Sequence, residues 1–266
     1  MCLAAFALNA HPRFPLVIAA NRDEFFARPA AALGWWETGG AAVLSGRDLQ
    51  AGGTWFGLSA SGRVALLTNV REPGRQLADA PSRGALVLDW LTSTVHADDF
   101  VRALRSGYNG FNLVMGDLSR PAWHWASNRA DATVALGEGV HGVSNALLDT
   151  PWPKTVGLKA DVAAAVASAG SADGLVDALL QALADERMAP DDQLPDTGVG
   201  LARERLLSPR FVRMSAPGSG EAVYGTRCST VLVTEALPGG ARRTQVVERS
   251  VDARGRWLDP VRVLLP

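Results

Sequence analysis

Apolar and polar positions change their period several times along the 266-residue chain. Between Cys2 and Asn69 the apolar residues come in short runs bounded by turn residues, which predicts strands. CLAAFAL and PLVIAA are separated by the Pro-containing NAHPRF, and TWFGLS and RVALLTN are joined by a turn at residues 60–62. The second pair reads as a hairpin. If the first pair is one too, the far end of PLVIAA returns to residue 2. The polar stretch NRDEFFAR, residues 21–28, then follows the second strand as a loop. From Ser82 the period lengthens to that of helices. SRGALVLDWLTS and ADDFVRALRS both suit amphipathic helices, with Phe100, Val101 and Leu104 on one face. Strands return in FNLVMGDL, AWHWAS and the run ending HGVSNA. Beyond Pro153, Leu158, Val162 and Val166 fall four apart, as do Leu175, Leu179 and Leu183, so two helices pack as neighbours. After the Pro/Asp/Gly-rich DDQLPDTGVG, strand signals reappear in TRCSTVLVTEA and RRTQVVERSV. Grouped strands alternating with grouped helices predict an α+β fold of mainly antiparallel sheets with helices layered on their faces. No repeat or linker divides the chain, and a single domain over residues 1–266 is expected.

Composition narrows the function without naming it. Apolar residues make up 47% and charged residues 20%, enough for a sizeable core in a globular protein. A net charge of −1, with Lys and Arg scattered, gives no footprint for nucleic acid. No basic-then-apolar leader is visible, and no run reaches the roughly 18 apolar residues of a membrane span. Two cysteines without ligand spacing suggest neither a disulfide framework nor a metal site, and place the protein in a reducing cytoplasm. GxxxxGK[ST], HExxH and GxSxG are absent from the sequence, and no GxGxxG follows a predicted strand. No metal and no cofactor are expected.

Against that background Cys2 stands out. Removal of Met1 would make it the amino terminus, with an α-amino group of pKa roughly 7.7–8.0 beside a thiol of pKa near 8.5. One residue would then hold both nucleophile and base. On position alone a buried small hydrophobe is the commoner fate of such a cysteine. Asn21, Arg22, Asp23 and Glu24 alter the balance. They set a cation and two carboxylates where a hairpin would bring them back to residue 2. Arg22 can favour a thiolate and orient a substrate carbonyl or carboxylate, and either Asp23 or Glu24 can hold the α-amino group. Asn69 and Asn145 each end an apolar run, a good place for a neutral oxyanion donor, although turn capping explains either one singly. Arg227, in YGTRCSTVLV, reads as a substrate clamp or a structural ion-pair partner. A regular strand would turn its neighbour Cys228 to the opposite face. The eight tryptophans, Trp55 among them, line the core or a pocket.

These stretches together resemble the NRDE-motif family, which includes the Transport and Golgi organisation 2 proteins. The resemblance rests on Met1-Cys2, NRDE at residues 21–24, GGTW at 52–55 and LTNVRE. It continues through NLVMGDL, HGVSNALLDTPWPK, LPDTGVGL and YGTRCSTVLV, in order along nearly the whole chain. It implies a four-layer αββα fold of the N-terminal-nucleophile hydrolases, two mainly antiparallel sheets between helical layers. More remotely the pattern is similar to bile-salt hydrolases and penicillin V acylases, which cleave linear amides. Carried over by motif, Cys2 is the nucleophile and Arg22 its neighbour, with Asp23 as supporting carboxylate. Asn145 is then the oxyanion donor and Arg227 the later arginine, while Asn21, Glu24, Asn69 and Trp55 contact substrate. The chain departs from the acylases three residues after Arg22, where Phe25 replaces a carboxylate, and at Cys228, where the family more often has Ser. The resemblance implies as ligand either a small-molecule amide or, if the fold is a carrier without the chemistry, an apolar molecule such as haem or an acyl-CoA.

Overall fold

The computed structural model describes residues 2–104, 106–216, 218, 222–252 and 254–265. Its strands are β1 (Cys2–Leu8), β2 (Leu16–Phe25), β3 (Ala30–Thr38), β4 (Ala41–Asp48), β5 (Phe56–Ser59), β6 (Arg63–Asn69), β7 (Phe111–Asp117), β8 (Arg120–Ser127), β9 (Val134–Leu136), β10 (Gly139–Val143), β11 (Arg213–Ser215), β12 (Ala222–Ala236), β13 (Arg242–Ser250) and β14 (Val261–Leu265). Its helices are α1 (Gly84–Thr92), α2 (Ala97–Arg102), α3 (Pro153–Ser168), α4 (Ala172–Leu183) and α5 (Leu201–Leu207). The class is α+β with two antiparallel sheets, as the pattern predicts. The chain divides into two compact units: Met1–Ala27, Glu138–Ser144 and Asp149–Pro266 form the first, and Arg28–Gly137 with Asn145–Leu148 the second. Among the described residues no helix is long and apolar enough to cross a membrane.

The first unit is built on a sheet ordered β10-β1-β2-β12-β13-β14, with β11 also pairing β12. One face carries α3 and α4. Leu3, Ala5, Ala7, Val17, Ala19, Val231 and Val233 alternate along their strands to meet Leu158, Val162, Val166, Leu175, Leu179 and Leu183, the two leucine-rich helical stripes of the sequence. Pro153 opens α3 at a position where a missing N–H costs nothing, and Ser171 caps α4 by accepting from Gly174 N–H at 3.1 Å. The C-terminal end of α4 is tied down by β2: Asn21 Nδ2 donates to Leu183 O at 2.9 Å, an orphan helix carbonyl, and to Arg210 O at 2.8 Å.

Two sequence expectations change here. The NRDE stretch is not a loop. β2 runs on through it to Phe25 because β12, a 15-residue strand, keeps pairing with it as far as Tyr224↔Phe25. The pairing also slips between Thr226 and Cys228, a β-bulge at Arg227. β12 is therefore irregular at the point where a regular alternation was assumed.

The second unit is a sheet ordered β3-β4-β5-β6-β7-β8-β9. Leu86, Val87, Trp90 and Leu91 of α1 and Phe100 of α2 pack on Ala65, Leu67, Leu113 and Met115. The buried Trp90 indole N–H is satisfied by Val64 O at 3.0 Å.

Leu179, fully buried at the centre of the α4 stripe, is the sensitive point of the first unit. Leu179→Ala is expected to lower stability by about 2–5 kcal/mol, the range of a buried methylene loss with an unrelaxed cavity. Denaturant unfolding of the variant measures this, and a cost under about 1 kcal/mol would mean α4 is not packed as described.

Candidate active site

In an antiparallel sheet, residues directly opposite one another project to the same face. The registers Cys2↔Arg22 and Arg22↔Cys228 therefore set a thiol, a guanidinium and a second thiol in one row across β1, β2 and β12. The row lies on the face away from α3 and α4, since Leu3 and the odd-numbered residues of β2 meet the helices. The expectation that the end of the second strand returns to residue 2 holds, and Arg22 is the residue placed there. The expectation that Cys228 faces the other way does not hold. The extra residue at Arg227 restores Cys228 to the row.

Period two divides the NRDE motif between the two faces. Asn21 and Asp23 point to the helix side, where both are fully enclosed. Asn21 Oδ1 accepts from Ser229 Oγ at 2.6 Å, while Asp23 Oδ1 accepts from Thr226 Oγ1 at 2.7 Å, and that oxygen in turn accepts from Val212 N–H. These are the contacts of a scaffold. Arg22, only 5% exposed, and Glu24, half-buried with Oε1 on Phe25 N–H, share the face of Cys2. Arg227 donates from Nη1 to Phe25 O at 2.9 Å and stacks over the Phe26 ring at 4.9 Å. Burial and the proximity of Arg22 both push its pKa down, the mark of two guanidiniums held close together.

The two thiols differ in exposure and environment. Cys2 is partly exposed and Cys228 buried. Desolvation of its sulfur raises the Cys2 pKa and Asp23 adds to the rise, against the pull of nearby positive charge, Arg22 included, and of the Asp23 backbone N–H. Cys228 is pushed well above the usual thiol range, by burial first and then by Glu248. Glu248 is itself buried and accepts from Thr230 Oγ1 at 3.0 Å. Two strand spacings, about 9–10 Å, separate the Cα atoms of the two cysteines, beyond the roughly 7 Å limit for a disulfide. Thr226, Thr230, Glu248 and Ser144, whose Oγ donates to Cys2 O at 3.1 Å, were not singled out in the sequence. All four lie inside or beside strands, where single polar residues carry no pattern of their own.

The remaining candidates belong to the second unit. Asn69 ends β6, and its carbonyl accepts from Asn145 Nδ2 at 2.9 Å. Asn145 is buried, and its own carbonyl accepts from Arg71 N–H at 2.7 Å. Asn112 Nδ2 donates to Ala146 O at 2.8 Å and to Thr68 Oγ1 at 3.0 Å, so the Asn145 turn is clamped from two sides. Trp55 is half-buried against Gly46, where even a Cβ would come within 2.4 Å of its ring. Among the described residues no group of three or more His, Cys, Asp or Glu is placed to hold a metal.

Comparison with known proteins supplies context. The profile described as Transport and Golgi organisation 2 matches residues 1–253. The Bos taurus Transport and Golgi organization protein 2 homolog is 36% identical over 251 residues, covering 89% of both chains. The Mus musculus homolog is 34% identical over 250 residues, again 89% of both. Among solved structures, a Caenorhabditis elegans N-acylethanolamine-hydrolyzing acid amidase ortholog superposes with a TM-score of 0.48 at 12% identity, over 90% of this chain and 95% of that one.

The row predicts an order of thiol reactivity. Iodoacetamide is expected to alkylate Cys2 well before Cys228 in the native protein, with peptide mass mapping as the readout. Arg22→Leu removes a charge that favours the thiolate, so the rate-against-pH curve of Cys2 should move to higher pH. A curve that stays put or moves lower would show that Arg22 does not act on the sulfur.

Proposed function

The chain belongs to the Transport and Golgi organisation 2 family, and on that premise we propose that it is an N-terminal-nucleophile cysteine hydrolase acting in the cytoplasm on the C–N bond of a linear amide. The observation that carries the proposal is the row Cys2–Arg22–Cys228. It puts a partly exposed thiol opposite a buried guanidinium at the first residue of a strand. Arg22 opposes the desolvation of the sulfur and offers a fixed cation to a substrate carbonyl or carboxylate.

The reaction follows from the groups. Cys2 Sγ attacks the amide carbon, and its proton passes to the α-amino group of the same residue once Met1 is gone; Met1 lies outside the described residues. The tetrahedral oxyanion is assigned by motif to Asn145 Nδ2. Collapse expels the amine with the proton and leaves a thioester on Cys2, which water, deprotonated by the same α-amino group, cleaves to the acid and free thiol. Arg227 and Glu24 bind substrate, with Asn69 and Trp55 in the same role by motif. Asn21 and Asp23 act on catalysis by fixing β2 and hence Arg22.

The partial burial of Cys2 beside Arg22 is compatible with a second reading. A thiol kept protonated suits a carrier that holds an apolar ligand, haem or an acyl-CoA, without attacking it.

Intact-mass spectrometry of the purified chain, before and after an acyl-amide probe, separates the two. The hydrolase predicts loss of Met1, a covalent acyl adduct that disappears in Cys2→Ala, and an Asn145→Ala variant slower by about 10²–10³. A retained Met1, or turnover that survives Cys2→Ala, would remove the enzymatic reading. Haem or acyl-CoA binding unaffected by Cys2→Ala would put the carrier in its place.

A further inference from the structure

On the helix side of the first unit's sheet, away from the row of thiols, the structure contains a cleft of about 270 Å³ at the N-terminal end of α4. Three arginines from three separate segments meet there. Arg13 comes from the β1–β2 connection, Arg243 from β13 and Arg262 from β14. Arg13 Nε and Arg243 Nη2 each donate to one oxygen of the buried Glu235, at 2.9 and 2.7 Å. Arg262 pairs with the exposed Asp173 and donates from Nη1 to Gln245 Oε1 at 3.0 Å. Three guanidiniums against two carboxylates leave one net positive charge. Every arginine keeps N–H groups beyond those it uses, since a guanidinium has five.

Gln245 adds an independent sign. It lines the cleft, is only 4% exposed, and its orientation is fixed because Arg262 can only donate and must meet the carbonyl oxygen. Its Nε2 is then a buried donor that meets no acceptor among the described residues. Burying such a group unmet is costly, and a ligand rich in acceptors removes the cost. The first turn of α4, with its outward N–H groups and positive dipole end, forms another wall. Excess guanidinium, an unmet amide donor and a helix N-terminus all call for the same chemistry.

We propose that this cleft is a second binding site, which takes a phosphate group, either the free ion or a small phosphomonoester. It is separate from Cys2. Val233 and Glu235 lie five and seven residues beyond Cys228 on β12, roughly 17–24 Å along the strand, and on the other face. Asp173 occupies the mouth and neutralises Arg262, so it acts as a built-in competitor for the incoming anion.

Calorimetric titration of inorganic phosphate into the full chain at low ionic strength, with phenyl phosphate in parallel, tests this. Saturable one-to-one binding is expected. Arg262→Gln should weaken it at least tenfold, and Asp173→Asn, which raises the net charge of the cleft, should tighten it severalfold. A stronger response to phenyl phosphate identifies an ester as the natural occupant, and a stronger one to the free ion identifies phosphate itself. Absence of saturable binding, or failure of the two substitutions to shift affinity in opposite directions, overturns the site. The opposite shifts cannot come from misfolding, which would weaken both variants.

Discussion

The two-residue period of a β-strand is the constraint from which the candidate chemistry follows. It splits four consecutive polar residues of β2 into two jobs. Asn21 and Asp23 face the helices and are consumed by structure: one holds the end of α4, the other the Thr226 hydroxyl that anchors Val212. Arg22 and Glu24 face the opposite side with Cys2. Sliding β2 by one residue against β1 would exchange the pairs, burying a guanidinium among leucines and removing the cation from the thiol. The buried amide of Asn21 resists that slip, because both its donors and its acceptor are matched in one register only. Scaffold and site are thus encoded in the same four letters.

The bulge at Arg227 is the second device. β12 pairs with β2 on one edge and β13 on the other, so an inserted residue cannot be absorbed by fraying. It shifts the alternation, brings Cys228 opposite Arg22, and frees Arg227 to reach the Phe25 carbonyl and the Phe26 ring. Two guanidiniums then lie close together on a mostly buried face. Burial and the charge of Arg22 lower the Arg227 pKa, an arrangement that an anion or a polarised carbonyl relieves.

What could be read in the letters depended on whether the signal was local. The α3 and α4 stripes were legible because Leu158, Val162, Val166 and Leu175, Leu179, Leu183 repeat at helical spacing and meet one core. The hairpin that returns Arg22 to Cys2 was legible from two apolar runs and a Pro-containing turn. α5 was not, since in seven residues it buries only Glu204 and Leu207. β3 and β4 escaped because β3 is half-exposed and its register slips between Ala31 and Gly34, which blurs the alternation. The strand character of NRDE and the facing of Cys228 were invisible for a different reason. Both are set by how far β12 pairs with its neighbours, and pairing between residues some 200 positions apart leaves no mark in either segment alone.

The state of the thiols sets the terms of any chemistry in the row. Burial pushes the Cys228 thiol well above the usual range, and Cys2 is the more exposed of the two sulfurs beside the same arginine. Cys2 is also raised, since Arg22 only partly offsets desolvation and the Asp23 carboxylate. Arg22 alone therefore does not bring the Cys2 thiol below its usual range. The hydrolase proposed above needs a neutral base of pKa near neutrality beside the sulfur. No His or Lys stands opposite Cys2 in its strand pairing. In that proposal the α-amino group of Cys2 is the base, and nucleophile and base would share a geometry that covalent structure alone maintains.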